Sequence, residues 1–389
     1  MIRAGVGTST HAEARRAGAQ AAAAALEGVG GAAQAAVLFA GPGYSDDLSL
    51  LLDAAVSELG TEVVVGASAH GVIARGCEYE EETAAVVLAW SGLETLPFLI
   101  ADAGGDALAA CEELAARLGG PARPEDLVVV LPDPHSFDLS AFLPELREAL
   151  GPAQVVGAGA GDALSGASLQ WCGRVVASGG IAGAVLRGAR PPRIGVAQAC
   201  RPATELLTVT RARGHWVLEL DGRPALDVYR EVARGPLAED LRHAASFLLV
   251  ALPADPEAER LEPGSYLVRQ VVGFENDANA FAIPTALKPG ARIAFAQREP
   301  EAAREDLKTM LARLSHQGTG SAPPALGLYF NSCARGAGLF GVPSLEAAYL
   351  ERAFGPAAIA GMFGSCEIGP MGGRSELLTY TGVLALIDS

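Results

Sequence analysis

The sequence predicts a mixed α/β fold made of two related halves, in which parallel and antiparallel sheets pack against helices. Half of the 389 residues are hydrophobic, so the chain can bury more than one core. A pattern of apolar strand, loop, amphipathic helix, second apolar strand and glycine-rich turn occurs three times along the chain. Short apolar runs with glycine at their corners lie between the copies, which favours antiparallel pairing there.

The three copies span residues 35–71, 126–162 and 325–370. In each copy, a strand, a helix and a returning strand predict a right-handed crossover and a parallel strand pair. Each helix begins near a side chain that can accept backbone N–H bonds and ends at a glycine that can adopt a left-handed conformation. The first residues are Ser45, Asp138 and Ser344, and the closing glycines are Gly60, Gly151 and Gly355.

The connecting segments predict antiparallel strands at 83–102 and a meander at 167–188. Two adjacent prolines make Arg187–Gly195 the best linker, so we expect one domain over residues 1–190 and a second over 191–389. The second domain should open with a hairpin at 205–220 and a helix that has Pro224 in its first turn. A long strand at 264–274 and a helix at 299–314 should then lead into the third copy.

Composition and charge exclude several classes of protein. Acidic residues outnumber basic ones 45 to 29, and the net charge of -16 makes nucleic acid a poor partner. The six cysteines are scattered singly, which is typical of free thiols in a reducing cytosol and not of a metal site or a disulfide framework. Arg15-Arg16 precedes a run of alanines that predicts an amphipathic first helix and not an export signal. No apolar run approaches the roughly 20 residues of a membrane span, so we expect a soluble, cytoplasmic protein with no membrane partner.

The loop "YFNSCARGAGLFG", residues 329–341, allows three interpretations. Gly336, Gly338 and Gly341 fit a dinucleotide fingerprint, but intervening residues separate the glycines from both the strand and the helix that such a site requires. Cys333 beside Arg335 could be a nucleophile with a lowered pKa, although a small residue in a pocket or core is the simpler interpretation. A pocket wall that needs close backbone approach is the third interpretation.

A second glycine-rich turn, "GMFGSCEIGPMGGR", carries Glu367 and Arg374 and follows the strand expected beside that of Cys333. Ligands of open α/β sheets bind at the carboxyl ends of the strands. We therefore expect Asn331, Arg335 and Glu367 to meet at one cleft.

Together, "NSCARGAGLFG" and "AGMFGSCEIGPMGGRSELLTYTGVLAL" closely resemble the C-terminal signature of FIST proteins, whose domain is named for F-box and intracellular signal transduction proteins. "VVVGASAHGVIARG", with Ser68 and His70, resembles the glycine-serine turn of the family's N-terminal half. The resemblance implies a stand-alone sensory module that binds a small ligand such as an amino acid. Asn331, Cys333, Arg335, Glu367, Gly369 and Pro370 occupy the family's motif.

Three features depart from that pattern. Ala67 stands where the family pattern predicts a cysteine, Ser365-Cys366 stand where smaller residues are typical, and Leu377-Leu378 stand where a histidine is expected.

The resulting hypothesis is a ligand-binding site in which Arg335 pairs with a carboxylate and Glu367 with an amine. Its residues are Asn331, Cys333, Arg335, Gly336, Glu367, Arg374, Ser68 and His70. We predict no cofactor, metal or catalytic residue, an amino-acid-like ligand, and a separate signalling protein as partner. One alternative is a hydrolase or transferase that uses Cys333 with His70, His135 or His316, and another is a scaffold without a ligand.

Overall fold

A computed structural model describes residues 1–101, 107–118, 121–136, 138–162, 166, 168–188, 190–234, 238–318 and 323–389. The first part of the chain contains β1 (Arg3–Ser9), α1 (Ala14–Val29), β2 (Ala35–Ala40), α2 (Leu48–Leu59), β3 (Val64–Ser68), β4 (Gly71–Ala74), β5 (Cys77–Glu80) and β6 (Ala85–Ser91). The second contains β7 (Glu94–Ile100), α3 (Ala107–Leu118), β8 (Asp126–Pro132), α4 (Leu139–Leu150), β9 (Gln154–Ala158), β10 (Leu169–Cys172), β11 (Val175–Ser178) and β12 (Ile181–Arg187).

The third part begins with β13 (Arg193–Gln198) and is interrupted by an inserted region. That region contains β14 (Cys200–Pro202), β15 (Leu207–Arg213), β16 (Trp216–Leu220), β17 (Arg223–Pro224), α5 (Ala225–Ala233), α6 (Leu241–Ala244), β18 (Leu248–Pro253), β19 (Tyr266–Arg269), β20 (Gly273–Glu275), β21 (Ala280–Ala282) and β22 (Arg292–Arg298). The third part resumes with α7 (Pro300–His316), β23 (Leu326–Ser332), α8 (Ala337–Phe340), α9 (Leu345–Phe354), β24 (Ala358–Gly364), β25 (Glu367–Met371), β26 (Arg374–Leu378) and β27 (Thr381–Ile387).

Three six-stranded sheets of the described chain share one strand order, and the inserted region forms a fourth sheet. The orders are β1-β6-β2-β3-β10-β11, β7-β12-β8-β9-β25-β26 and β13-β27-β23-β24-β4-β5. In each sheet the third and fourth strands are the parallel pair that the repeated sequence pattern predicts, and all other neighbours are antiparallel. The mixed α/β class is thus confirmed, and the chain is built from three copies of one unit.

Each unit gives its β-hairpin to another unit. The β4–β5 hairpin of the first unit joins β24 of the third, β10–β11 of the second joins β3 of the first, and β25–β26 of the third joins β9 of the second. The exchange is cyclic. Strands from both sides of residue 190 therefore share sheets, and the division into domains at that residue stays a prediction.

Successive side chains of each strand point to opposite faces of its sheet, so the strands pack against a core on one face and against helices on the other. The inner faces of the three sheets meet in one core, where Phe39 and Phe330 pack edge to face with ring centroids 6.2 Å apart. Helices cover the outer faces: α1 and α2 on the first sheet, α3 and α4 on the second, and α7 and α9 on the third. In β23, Leu328 and Phe330 face the inner core, whereas Tyr329 faces the helices.

The predicted helix ends are only partly confirmed. Asp138 accepts hydrogen bonds from the backbone of Ser140 and Ala141, as expected of a cap, and Gly60, Gly151 and Gly355 all have positive φ. Ser45 and Ser344 do not cap their helices, because their hydroxyls bond instead to Asp162 and to the backbone N–H of Glu78. Local sequence does not reveal such distant partners.

The connecting segments also differ in detail. The strands at 83–102 are antiparallel, but β6 and β7 belong to different sheets and do not pair with each other. The hairpin β15–β16, the helix after Pro224 and α7 are confirmed. The strand predicted at 264–274 is split into β19 and β20, which lie at different positions in the fourth sheet. The proline-containing linker joins β12 to β13, and its Ala189 lies outside the described residues.

Candidate functional site

The carboxyl ends of β3, β9 and β24 meet at one place, because the three units converge there. The backbone N–H of Ser365 donates to the carbonyl of Gly159 over 3.1 Å, and that of Gly161 donates to Ser68 over 3.0 Å. On the two sides of β24, His70 donates to the carbonyl of Phe363 and Cys333 donates to that of Gly364, each over 2.9 Å. The loops that carry the predicted site residues are therefore neighbours.

Arg335 lies within this region, but its guanidinium is fully buried. Its Nε donates to Oε1 of Glu346 over 2.8 Å, its Nη2 lies 2.6 Å from the same oxygen, and its Nη1 donates to the carbonyl of Ala197. Desolvation alone would lower the pKa of Arg335, but the carboxylate of Glu346 outweighs it and the net effect raises that pKa. The positive charge of Arg335 is thus already compensated within the protein.

Glu346 also binds two side chains of β23. Tyr329 donates its hydroxyl to Oε2 of Glu346 over 2.5 Å, and Asn331 donates Nδ2 to the same oxygen over 2.7 Å. Alternation places both residues on the face of β23 that packs against the helices, where Glu346 stands in the first turn of α9. Burial raises the pKa of Tyr329 well above its usual range, and the Glu346 carboxylate raises it further.

Glu367 is the second fully buried charged side chain at the strand ends. Its Oε2 accepts hydrogen bonds from the backbone N–H and the hydroxyl of Thr381, over 3.0 and 2.8 Å. Burial raises the pKa of Glu367 to about 8, although Thr381 and the charge of Arg335 act in the opposite direction. Each of these two charged residues affects the pKa of the other, as expected of side chains that the structure brings near each other, and their joint role in ligand binding stays a prediction.

Three residues of the predicted site each carry a buried polar atom without a hydrogen-bond partner in the described structure. These atoms are Oδ1 of Asn331, Nη2 of Arg335 and Oε1 of Glu367, although the side chain of Ser332 is close enough to Glu367 to lower its pKa. Nη2 of Arg335 is close to Glu346, but outside hydrogen-bond geometry. Buried polar atoms in folded proteins are almost always paired, so each of these three atoms has the capacity for one further hydrogen bond.

Two further carboxylates reach the same loops from the hairpin of the first unit. Oε1 of Glu78 accepts from the backbone N–H of Ala347 over 2.8 Å, and Oε1 of Glu80 accepts from that of Ala337, also over 2.8 Å. Burial raises the pKa of Glu78 to about 7, and burial likewise raises that of Glu80. The hairpin thus fixes the first turns of α8 and α9.

Cys333 is an exposed member of the predicted site. Desolvation nevertheless raises the pKa of its thiol to about 11, and the nearby Glu367 contributes to the same shift. His70 lies on the opposite side of β24 from Cys333. Desolvation lowers the pKa of His70, against the opposing effect of the Asp162 and Glu81 carboxylates.

The remaining predicted residues are dispersed. Ser68 is buried and accepts the backbone N–H of Leu169, so it holds the exchanged hairpin of the second unit. Gly336 has a φ of 63°, and a Cβ there would collide with Glu80. Arg374 is exposed at the β25–β26 turn and pairs with Glu376, away from the buried cluster.

Sequence reasoning missed Glu346, Glu78 and Thr381. Glu346 is one of several glutamates at the start of predicted helices, where a solvated carboxylate is the usual interpretation. Glu78 stands in the acidic run Glu78–Glu82, and Thr381 opens an apolar strand. Their roles depend on the hairpin exchange, for which no local pattern gives a signal.

Comparison with known protein families shows the family to which the chain belongs. The sequence model of the FIST N domain matches residues 4–223, and that of the FIST C domain matches residues 225–370. The chain belongs to the FIST family. FIST domains are generally considered small-ligand sensory domains of signalling proteins.

Relatives of this FIST chain cover its whole length. It is 32% identical to the uncharacterized protein Rv0628c of Mycobacterium tuberculosis over 389 residues, which is 99% of each chain. It is 30% identical to the uncharacterized protein Mb0898c of Mycobacterium bovis, over 99% of this chain and 98% of that one.

Among solved structures, a cyanuric acid hydrolase of A. caulinodans aligns with 49% of the FIST chain and 71% of its own, at 12% identity and a TM-score of 0.28. Likeness at this level establishes neither fold nor function. None of the helices in the described part of the FIST chain is long and apolar enough to cross a membrane.

Proposed function

We propose that this FIST chain is a sensory module that binds an amino acid or a similar small metabolite where β23 and β24 end. The observation that carries the proposal is the set of unpaired buried atoms on Asn331, Arg335 and Glu367. Two of them are acceptors and one is a donor. An α-amino acid presents the complementary groups, an ammonium and a carboxylate, on one carbon atom.

The charge balance of the cluster favours a ligand with an amine. Arg335 is paired with Glu346, and Glu367 forms no ion pair with any of the described residues. With its pKa near 8, Glu367 is mostly protonated at neutral pH, and an ammonium group would take the place of that proton. Ligand binding should therefore release a proton.

Cys333 marks the side from which solvent reaches this cluster. Its side chain is exposed, whereas Asn331 and Arg335 are almost completely shielded. A ligand that enters from this side would pass the loop of residues 333–336. Gly336 permits the backbone of this loop to turn with a positive φ.

A thermal-shift screen against amino acids and small carboxylates tests the proposal, since a ligand that binds only the folded protein raises its melting temperature. Glu367→Gln keeps an acceptor for Thr381 but presents an amide to the ligand. It should weaken the affinity for an amine-bearing ligand at least tenfold, which reduces the thermal shift that the ligand causes. Glu376→Gln is the matched control, because Glu376 lies on the next strand of the same hairpin and pairs with Arg374.

Calorimetry of the best ligand in two buffers with different ionisation enthalpies then counts the protons released. A release that is present in the wild type and absent in Glu367→Gln supports the proposal. If the folded protein shows no shift with any amine-bearing metabolite, or the same affinity in both glutamate variants, the proposal is wrong.

A second candidate function is thiol chemistry at Cys333, which its exposure favours. The raised pKa and the position of His70 across β24 weigh against a thiolate nucleophile in this conformation. The rate at which Cys333 is alkylated distinguishes the two candidates.

A further inference from the structure

We propose that the chain has a second small-molecule site, in a cavity between the first and third units, which binds an apolar carboxylic acid bearing a hydroxyl or amino group on its α-carbon. The cavity has a volume of about 310 Å³. Its lining includes Val6, Ile73, Leu350 and Ile359, with Arg75 and Glu351 as the charged residues. It lies near the amino end of β24, whereas the site proposed above is at the carboxyl end.

Arg75 adopts a backbone conformation that is unfavourable for an arginine. It occupies the two-residue turn between β4 and β5 with a φ of 51°, and Gly76 follows with a φ of 72°. Positive φ at both central residues defines a type I′ turn, in which asparagine or glycine is preferred at the first position. A non-glycine residue with left-handed φ is strained, and such strain is concentrated at functional sites.

The three exchanged hairpins each carry an arginine at or next to the turn, and Arg75 differs from the other two. Arg174 pairs with Asp53 and Glu62, and Arg374 pairs with Glu376. Arg75 donates Nη2 to the carbonyl of Val6 and forms no ion pair within the described part of the chain. The remaining donors of its guanidinium are available for a carboxylate.

Glu351 supplies the opposite charge beside this turn. It is exposed, lines the same cavity and forms no ion pair among the described residues. A Cβ on Gly76 would collide with its carboxylate, so Glu351 lies directly against the turn that carries Arg75. Arg75 can bind a carboxylate of the ligand, and Glu351 can accept a hydrogen bond from a hydroxyl or amino group on the adjacent carbon.

The size and lining of the cavity define the rest of the ligand. A dry cavity of about 150 Å³ accommodates benzene, so twice that volume corresponds to about twelve non-hydrogen atoms. Val6, Ile73 and Leu350 provide an apolar surface for an aromatic or branched aliphatic body. 3-Phenyllactate and phenylalanine have the head group and the size, and 3-phenylpropionate has the same body without the α-donor.

The test is calorimetric titration of the full chain with these three compounds. We expect phenyllactate and phenylalanine to bind at least tenfold more tightly than phenylpropionate, and Arg75→Asn to weaken phenyllactate binding at least tenfold. Asparagine suits the type I′ turn, so the variant should fold with unchanged or higher stability. Arg174→Asn is the matched control, because it removes an arginine from the turn of another exchanged hairpin, and it should bind like the wild type.

Glu367→Gln separates this site from the strand-end site, since it should leave phenyllactate binding unchanged. Phenyllactate binding that persists in Arg75→Asn, or no binding of either α-substituted acid at millimolar concentration, overturns the second site. Loss of phenyllactate binding in Glu367→Gln with retention in Arg75→Asn would assign the compound to the strand ends and refute the second site.

Discussion

Arg335 and Glu346 form an ion pair in which neither side chain is exposed, with Nη2 and Oε1 2.6 Å apart. The pair fastens the loop after β23 to the first turn of α9, and Phe340 packs over the guanidinium, its ring centroid 5.6 Å from Cζ. A buried ion pair specifies geometry more reliably than it adds stability, because desolvation offsets much of the attraction.

Removing one partner of this pair should be far more damaging than removing both. Arg335→Met leaves Glu346 buried and uncompensated, so we expect the free energy of unfolding to fall by about 3–5 kcal/mol. Arg335→Met combined with Glu346→Gln should recover at least half of that loss. Urea unfolding of the single and double variants measures both, and a loss below about 1 kcal/mol in the single variant would contradict the interpretation.

Glu367 should make stability depend on pH. Its pKa is raised from 4.5 to about 8, so between these values the folded state keeps a proton that the unfolded state loses. This contribution to stability is complete below about pH 4.5 and is lost as pH rises through about 8. Glu367→Gln removes it, so the melting temperature of the variant relative to the wild type should rise steadily from pH 5 to pH 8. A difference that stays constant over this range would show that Glu367 does not hold the proton.

The thiol of Cys333 should react slowly despite its exposure. With a pKa of about 11, only about one thiol in ten thousand is ionised at neutral pH. In a Cys77→Ser background, which removes the other exposed thiol, iodoacetamide should label Cys333 at a rate that climbs until about pH 11. Above about pH 8, where Glu367 is ionised, Glu367→Gln should accelerate labelling, because it removes a negative charge near the sulfur. Fast labelling at pH 7 would instead support the thiol-enzyme alternative.

Glu78 should stabilise α9 from a distant part of the sequence. Its carboxylate accepts the N–H of Ala347, and its own N–H donates to the hydroxyl of Ser344, which reproduces a capping box across two units. Glu78→Ala should lower the free energy of unfolding by about 1–2 kcal/mol, as loss of a helix cap does. Ser344→Ala, which removes the other half of the box, should cost less, since it leaves Ala347 paired. Equal stability of Glu78→Ala and wild type in urea unfolding would refute this role.

The sequence predicts the units well and their assembly poorly. Apolar runs and capping signals are local, so β23, β24 and their parallel pairing could be derived, and with them the proximity of Arg335 and Glu367. The sheet that a hairpin joins is not determined by the local sequence. Two residues separate β3 from β4, and nothing in "AH" decides that β4 joins the sheet of the third unit. The roles of Glu78 and Glu346 follow from that choice, so they could not be predicted.

The cyclic exchange of hairpins also determines when the chain can finish folding during synthesis. The sheet of the second unit is completed by β25–β26, which is synthesised long after β9, and the sheet of the third unit requires β4–β5, which is synthesised long before β24. Until then, β9 has an unpaired edge and β4–β5 has no strand to join. A nascent chain that stalls before residue 367 therefore exposes strand edges, which are the surfaces that chaperones protect from aggregation.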